Sequence, residues 1–116
     1  MEIKIVKDYI SLQELTRMAN EEFGDVVKAA VDVEQKIMAV GGELHADEEV
    51  SLMERENSKR AYIWGINIYP KKPENERLEF DSMINLKPHS GNRSRNVEDP
   101  DIKEKIKAIV RKLISG

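Results

Sequence analysis

The sequence predicts an α+β domain, and three observations carry that expectation. Residues 12–23 and 100–113 place apolar side chains at helical spacing behind capping residues; the middle of the chain alternates apolar and polar residues over short runs; polar, turn-forming segments separate those runs at hairpin spacing. The expected order is a strand and a helix, then a five-stranded mainly antiparallel meander, then a C-terminal helix, with both helices packed on one sheet face. At 116 residues the chain fits a single domain, 1–116, with one core.

Each element has its own signal. Ile3 and Ile5 alternate with charged residues and suggest a short strand. Ser11 and Glu14 have capping-box spacing; Leu12, Leu15, Met18, Ala19 and Phe23 then form a helical stripe that Gly24 ends. Residues 26–34 set Val27, Ala29, Val31 and Val33 against Lys28, Ala30, Asp32 and Glu34, which favours a strand, with a helix through Val27, Ala30 and Val31 as the competing assignment. Further strands are expected at 37–45, 49–54, 61–69 and 77–87, joined by the polar turns "EQK", "ERENSKR" and "PKKPENE". Asp99 as N-cap and Pro100 at the first helical position open the last helix, whose apolar face is Ile102, Ile106, Ile109, Val110 and Leu113.

Composition excludes several functional classes. No cysteine is present, which removes thiolate metal sites, disulfides and cysteine nucleophiles and fits a reducing, cytoplasmic setting. No apolar run reaches the roughly 18 residues that a membrane span needs, and no signal core is visible, so no membrane partner is expected. Lys plus Arg number 19 against 22 Asp plus Glu, for a net charge of -3, which disfavours a nucleic-acid binder with a broad basic footprint. A weak binder using Lys71, Lys72, Lys87, Arg93 and Arg95 is the form such an activity would take.

Strand alternation sorts the side chains into two faces. One face would collect Val27, Val31, Met38, Val40, Leu44, Val50, Leu52, Tyr62, Trp64, Ile66, Ile68, Leu78, Phe80, Ile84 and Leu86, a core for the two helices, with Trp64 inside it rather than serving as a stacking platform. The other would gather Asp32, Glu34, Ala39, Gly41, Glu43, His45, Met53, Ile63, Gly65, Asn67, Glu79, Asp81, Met83 and Asn85, and is expected to be open. Gly41 and Gly65 mark places where a backbone or a ligand approaches closely. A wet sheet face, or a homodimer interface through Ile63, Met53 and Met83, competes with a site there.

Two motifs carry candidate chemistry. In "GGELHADEE" an extended backbone would point Glu43, His45 and Asp47 the same way, and with Asp81 they would suit a divalent metal. His45 beside Asp47 or Asp81 would also serve as a general base, though no serine nucleophile is identifiable. The segment "KPHSGNRSRNVEDPD" is rich in donors, and Arg93 and Arg95 would grip a phosphate or carboxylate, or else staple the loop to acids such as Glu43 or Asp81. Asn67, Asn85 and Asn92 join the arginines as candidate ligand-binding residues. No P-loop, dinucleotide fingerprint or HExxH motif is present. The functional expectation is a phosphate-ligand or metal-binding module on the open face, with a homodimeric or partner-binding protein as the rival.

The set "VDVEQKIMAVGGELHADEE", "WGINIYP", "EFDSMINLKP" and "GNRSRNVEDP" resembles an uncharacterised prokaryotic family, a domain of unknown function, over nearly the whole chain. The resemblance implies a small stand-alone protein and transfers no functional residue.

Overall fold

Ser11 opens the first helix: its Oγ accepts the Glu14 N–H at 3.0 Å in the computed structural model, which describes residues 2–115. This helix, α1 (Leu12–Glu21), buries Leu15 and Ala19 and ends at Gly24, whose φ of +95° lets its N–H reach the Ala19 carbonyl at 2.6 Å. The box is only half made, because the Glu14 carboxylate turns to Lys4 at 3.1 Å instead of back to Ser11. The last helix, α3 (Pro100–Leu113), is capped by Asp99, which accepts the Asp101 N–H at 2.8 Å, and buries Ile106, Ile109, Val110 and Leu113.

The strands are β1 (Lys4–Val6), β2 (Ile10–Ser11), β3 (Val27–Asp32), β4 (Ile37–Val40), β5 (Ile63–Ile68), β6 (Leu78–Glu79) and β7 (Ile114–Ser115). Five of them form one antiparallel sheet in the order β1-β4-β3-β5-β6. Residues 27–32 are a strand, as their alternation favoured, with Ala30 opposite Ala39 on one side and Gly65 on the other. The short β2 and β7 pair in parallel and tie the entry of α1 to the exit of α3, a contact that no sequence pattern announced.

One sheet face carries Val27, Ala29, Val31, Met38, Val40, Trp64, Ile66 and Ile68, and both α1 and α3 pack on it. At roughly 25 cal/mol per Å² of apolar surface removed from water, this layer is the main source of stability. The face sorting holds for these residues, Trp64 included. It fails for Leu44, Val50, Tyr62 and Leu86, which are exposed, and for Leu52 and Ile84, which pack on the opposite side.

That opposite side is not open. Residues 49–54, expected to be a strand, belong to a third helix, α2 (His45–Glu56), which crosses the sheet and packs Leu52 against Ala30, Ile37, Ala39 and Ile63. Its side chains follow the helical spacing 48, 49 and 52, and Asn57 ends it in the left-handed conformation at φ +57°. The helix replaces the third meander strand, so β5 returns to pair with β3 instead of continuing outward. The strand expected at 37–45 stops at Val40, because Gly41 adopts φ +94° beside the Glu2 carbonyl. The strand expected at 77–87 pairs only at Leu78–Glu79 and then breaks into single 3-10 turns at Met83–Asn85 and Pro88–Ser90.

Candidate functional site

Helix α2 redistributes the "GGELHADEE" residues. Glu43 is exposed, with its carbonyl held by Lys28 Nζ at 2.9 Å; His45 is the first helical residue; Asp47 lies two positions further round the helix and is exposed. The common direction expected for Glu43, His45 and Asp47 needed an extended backbone, and a helix turns positions i and i+2 about 200° apart. Among the described residues, no three of His, Cys, Asp and Glu lie together in a way that could hold a metal ion.

His45 instead packs its ring against β5. Its Nε2 donates to the Ile66 carbonyl at 2.9 Å, taking the tautomer that makes this bond. Burial pushes the imidazole below its ordinary value of 6.5, against an upward pull from that carbonyl and a smaller one from Asp81. Nearby, Asn67 Nδ2 donates to Glu79 Oε1 at 2.8 Å and to the Asp81 carbonyl at 3.2 Å. Arg95 Nε donates to Asp81 Oδ1 at 2.6 Å, so this arginine staples its loop to an acid in one of the two ways its sequence allowed. Arg93 is exposed and holds Glu98 through its backbone N–H at 3.1 Å.

Asn85 and Asn92, expected as ligand contacts, are buried and committed to the backbone. Asn85 bonds both peptide groups of Gly65 and also donates to the Arg95 carbonyl at 2.9 Å. Asn92 Nδ2 donates to the carbonyls of Asn85, Ser94 and Asn96 at 2.7, 3.2 and 2.8 Å, while its Oδ1 accepts the Glu98 N–H at 2.8 Å. A wide loop made mostly of polar residues is thereby fixed against the edge of β5 that β6 leaves uncovered. The close approach expected at Gly65 comes from the chain itself: a Cβ there would collide with Ser82.

The same packing builds a cleft of about 500 Å³ between α2 and the segment 84–90, lined by Glu49, Arg60, Ala61, Ile84, Leu86, Lys87, Pro88, His89 and Ser90. Lys87 is 9% exposed, and its ammonium donates to the carbonyls of Arg60 and Ile84 at 2.9 and 3.2 Å, 5.0 Å from the Trp64 ring centre. Burial lowers its pKa below 10.5, partly offset by Glu49. Glu49 lies 3.5 Å from Arg60 Nε, and burial raises its carboxyl above 4.5 against the pull of Arg60 and Lys87. Partly dried charges on a cleft wall interact more strongly with each other, and with a bound ion, than they would in water.

Lys87, His89 and Ser90 belong to the donor-rich segment that the sequence singled out, whereas Glu49 and Arg60 carried no such expectation. Helical spacing was the available signal for Glu49, since 45, 48, 49 and 52 share one side of a helix. The basic residues offered for nucleic acid do not form a surface together: Lys71 Nζ bonds Asn20 Oδ1 at 2.7 Å, Lys72 stacks 4.5 Å from the Tyr69 ring centre, Lys87 is turned inward and Arg95 is paired. Of the side chains expected at a homodimer interface, Ile63 is fully buried under α2, Met53 packs half-buried against the same cluster and Met83 is exposed. Among the described residues, no helix is long and apolar enough to cross a membrane.

Residues 4–113 match the family model described as protein of unknown function, DUF5674. Comparison with curated proteins and with solved structures gives no match.

Proposed function

Since the chain belongs to DUF5674, a family described as of unknown function, any activity has to be argued from the site, and we propose that the protein binds a small phosphate- or carboxylate-bearing molecule in the cleft between α2 and residues 84–90. The observation that carries this reading is Lys87. Two of its three ammonium donors are fixed by backbone carbonyls at the cleft wall, and no oxygen among the described residues takes the third. Arg60 on one side and His89 and Ser90 on the other surround the same volume with further donors.

Glu49 completes the electrostatics. Burial raises its carboxyl above the ordinary value against the pull of Arg60 and Lys87, and its pairing with Arg60 at 3.5 Å holds that guanidinium at the cleft wall. The ligand class expected for the open sheet face is retained and its place is moved, because α2 covers that face. Among the described residues, the metal form of the proposal has no converging set of acids to rest on. A reducing, cytoplasmic setting belongs to the same proposal, supported by the absence of cysteine.

The test is an NMR titration with inorganic phosphate and pyrophosphate at low salt, read at the backbone amides of Arg60, Lys87, His89 and Ser90. Saturable shifts at these positions, lost in Lys87→Met, are expected. Uniform small shifts across the exposed lysines would mean non-specific screening and defeat the proposal.

A further inference from the structure

At the other side of the sheet core, the turn between β3 and β4 meets α3 across a second cavity, of about 470 Å³. Its floor is apolar: Val33 from the turn, and Ile109 and Leu113 from α3. Every charged residue around it is a lysine, namely Lys7, Lys36, Lys105 and Lys112. Lys7 is paired with Glu56 at 2.7 Å, whereas Lys36, Lys105 and Lys112 pair with no carboxylate among the described residues. The neighbouring Glu104 turns away to Lys107 at 3.1 Å. In a chain of net charge -3, this is a strong local reversal of sign.

We infer that this cavity binds an aliphatic phosphomonoester, with the phosphate among the lysines and the alkyl chain along the Val33–Ile109–Leu113 floor. Three arguments select that chemistry. Lysines present compact point charges that suit the several oxygens of a phosphate, whereas planar carboxylate recognition favours arginine, which is absent from the lining. No aromatic ring lines the cavity to stack a nucleobase, while the floor offers branched aliphatic side chains. The volume falls in the range of about 300–1,000 Å³ usual for small ligands. The proposed occupant is a single soluble molecule.

Lys36 supplies an unusually clean variant. It adopts φ +60°, a left-handed conformation that glycine takes without cost, so Lys36→Gly removes the charge while relieving the backbone. The experiment is calorimetry on the full chain with octyl phosphate below its micelle concentration, with residue-level mapping by NMR. Expected are shifts at Val33, Lys36, Ala108 and Ile109, and affinity weakened about tenfold or more in Lys36→Gly and in Lys112→Gln. Octanol and inorganic phosphate are expected to give no comparable response at these residues. The proposal is overturned by an absence of shifts there, by equal binding of octanol, or by unchanged affinity in both variants. It is equally overturned if phosphatidic acid vesicles bind while the monomer does not, which would mark a membrane contact.

Discussion

Asn85 completes β5 with its side chain: Oδ1 accepts the Gly65 N–H at 2.7 Å, and Nδ2 donates to the Gly65 carbonyl at 3.0 Å. A carboxamide carries one acceptor and one donor at the spacing of a peptide, so a single residue stands in for a neighbouring strand where β6 stops short. The wall of the proposed ligand cleft hangs from this pair, because Ile84, Leu86 and Lys87 flank Asn85 in the chain.

Asn85→Ala leaves two buried peptide groups of Gly65 unpaired, and about 3 kcal/mol of destabilisation is expected, summed from the cost of unsatisfied buried donors and acceptors. Urea denaturation with an unchanged slope would measure it. A loss below about 0.5 kcal/mol, the size of an ordinary surface change, would show the pair to be dispensable.

Gly65→Ala drives a methyl group into Ser82, whose own side chain is buried, and is expected to cost about 2 kcal/mol or more by overpacking. Ser82→Gly should recover much of that loss in the double variant, because it vacates the colliding atoms. Strict additivity of the two changes would contradict the close approach.

Glu48 is fully buried against Gly42, whose N–H it accepts at 2.8 Å, and its other oxygen has no partner. Burial raises its carboxyl well above 4.5 in the folded chain, while the unfolded chain keeps the ordinary value. The folded state therefore binds the proton more tightly, and the favourable contribution present below about pH 4.5 is lost as pH rises beyond it. Glu48→Gln, which does not titrate, should gain stability relative to the native chain as pH increases. Thermal denaturation of both proteins across about pH 4 to pH 8 would check the sign, and a constant gap would refute it.

Arg95 and Asp81 pair at 2.6 Å, yet their side chains are 56% and 47% exposed. Solvent screening limits such a pair, so Arg95→Ala is expected to cost no more than about 1 kcal/mol and to leave the Asn85 staple intact. A larger loss by urea denaturation would assign the arginine a structural role beyond this ion pair.

What was legible in the chain was whatever the hydrophobic period and the caps specify. Ser11, Gly24, Asp99 and Pro100 delimit two helices correctly, and the parity of Val27, Val31, Trp64 and Ile66 places the larger core layer. Helix α2 escaped because two of its three buried side chains are glutamates, and the alternation of Val50 and Leu52, with Met53 on the other parity, mimics a strand. The 82–97 loop escaped for a related reason. It is held by Asn85 and Asn92 acting on backbone groups, and a pattern of apolar residues carries no trace of that. Asn85 and Asn92, read as ligand contacts, spend their side chains on backbone groups, and Glu49, on the unrecognised helix, lines the cleft.

The Lys87 ammonium carries the anion site, and direct observation of it is the sharpest test. With Lys side chains labelled, the Lys87 Nζ resonance should titrate below the ordinary 10.5 in the free protein and move upward when phosphate is added, because a bound anion favours the charged form. The shift should saturate together with those of the His89 and Ser90 amides. An Nζ resonance indifferent to phosphate, with the amides of residues 84–90 equally unmoved, would contradict the assignment of this cleft as an anion site.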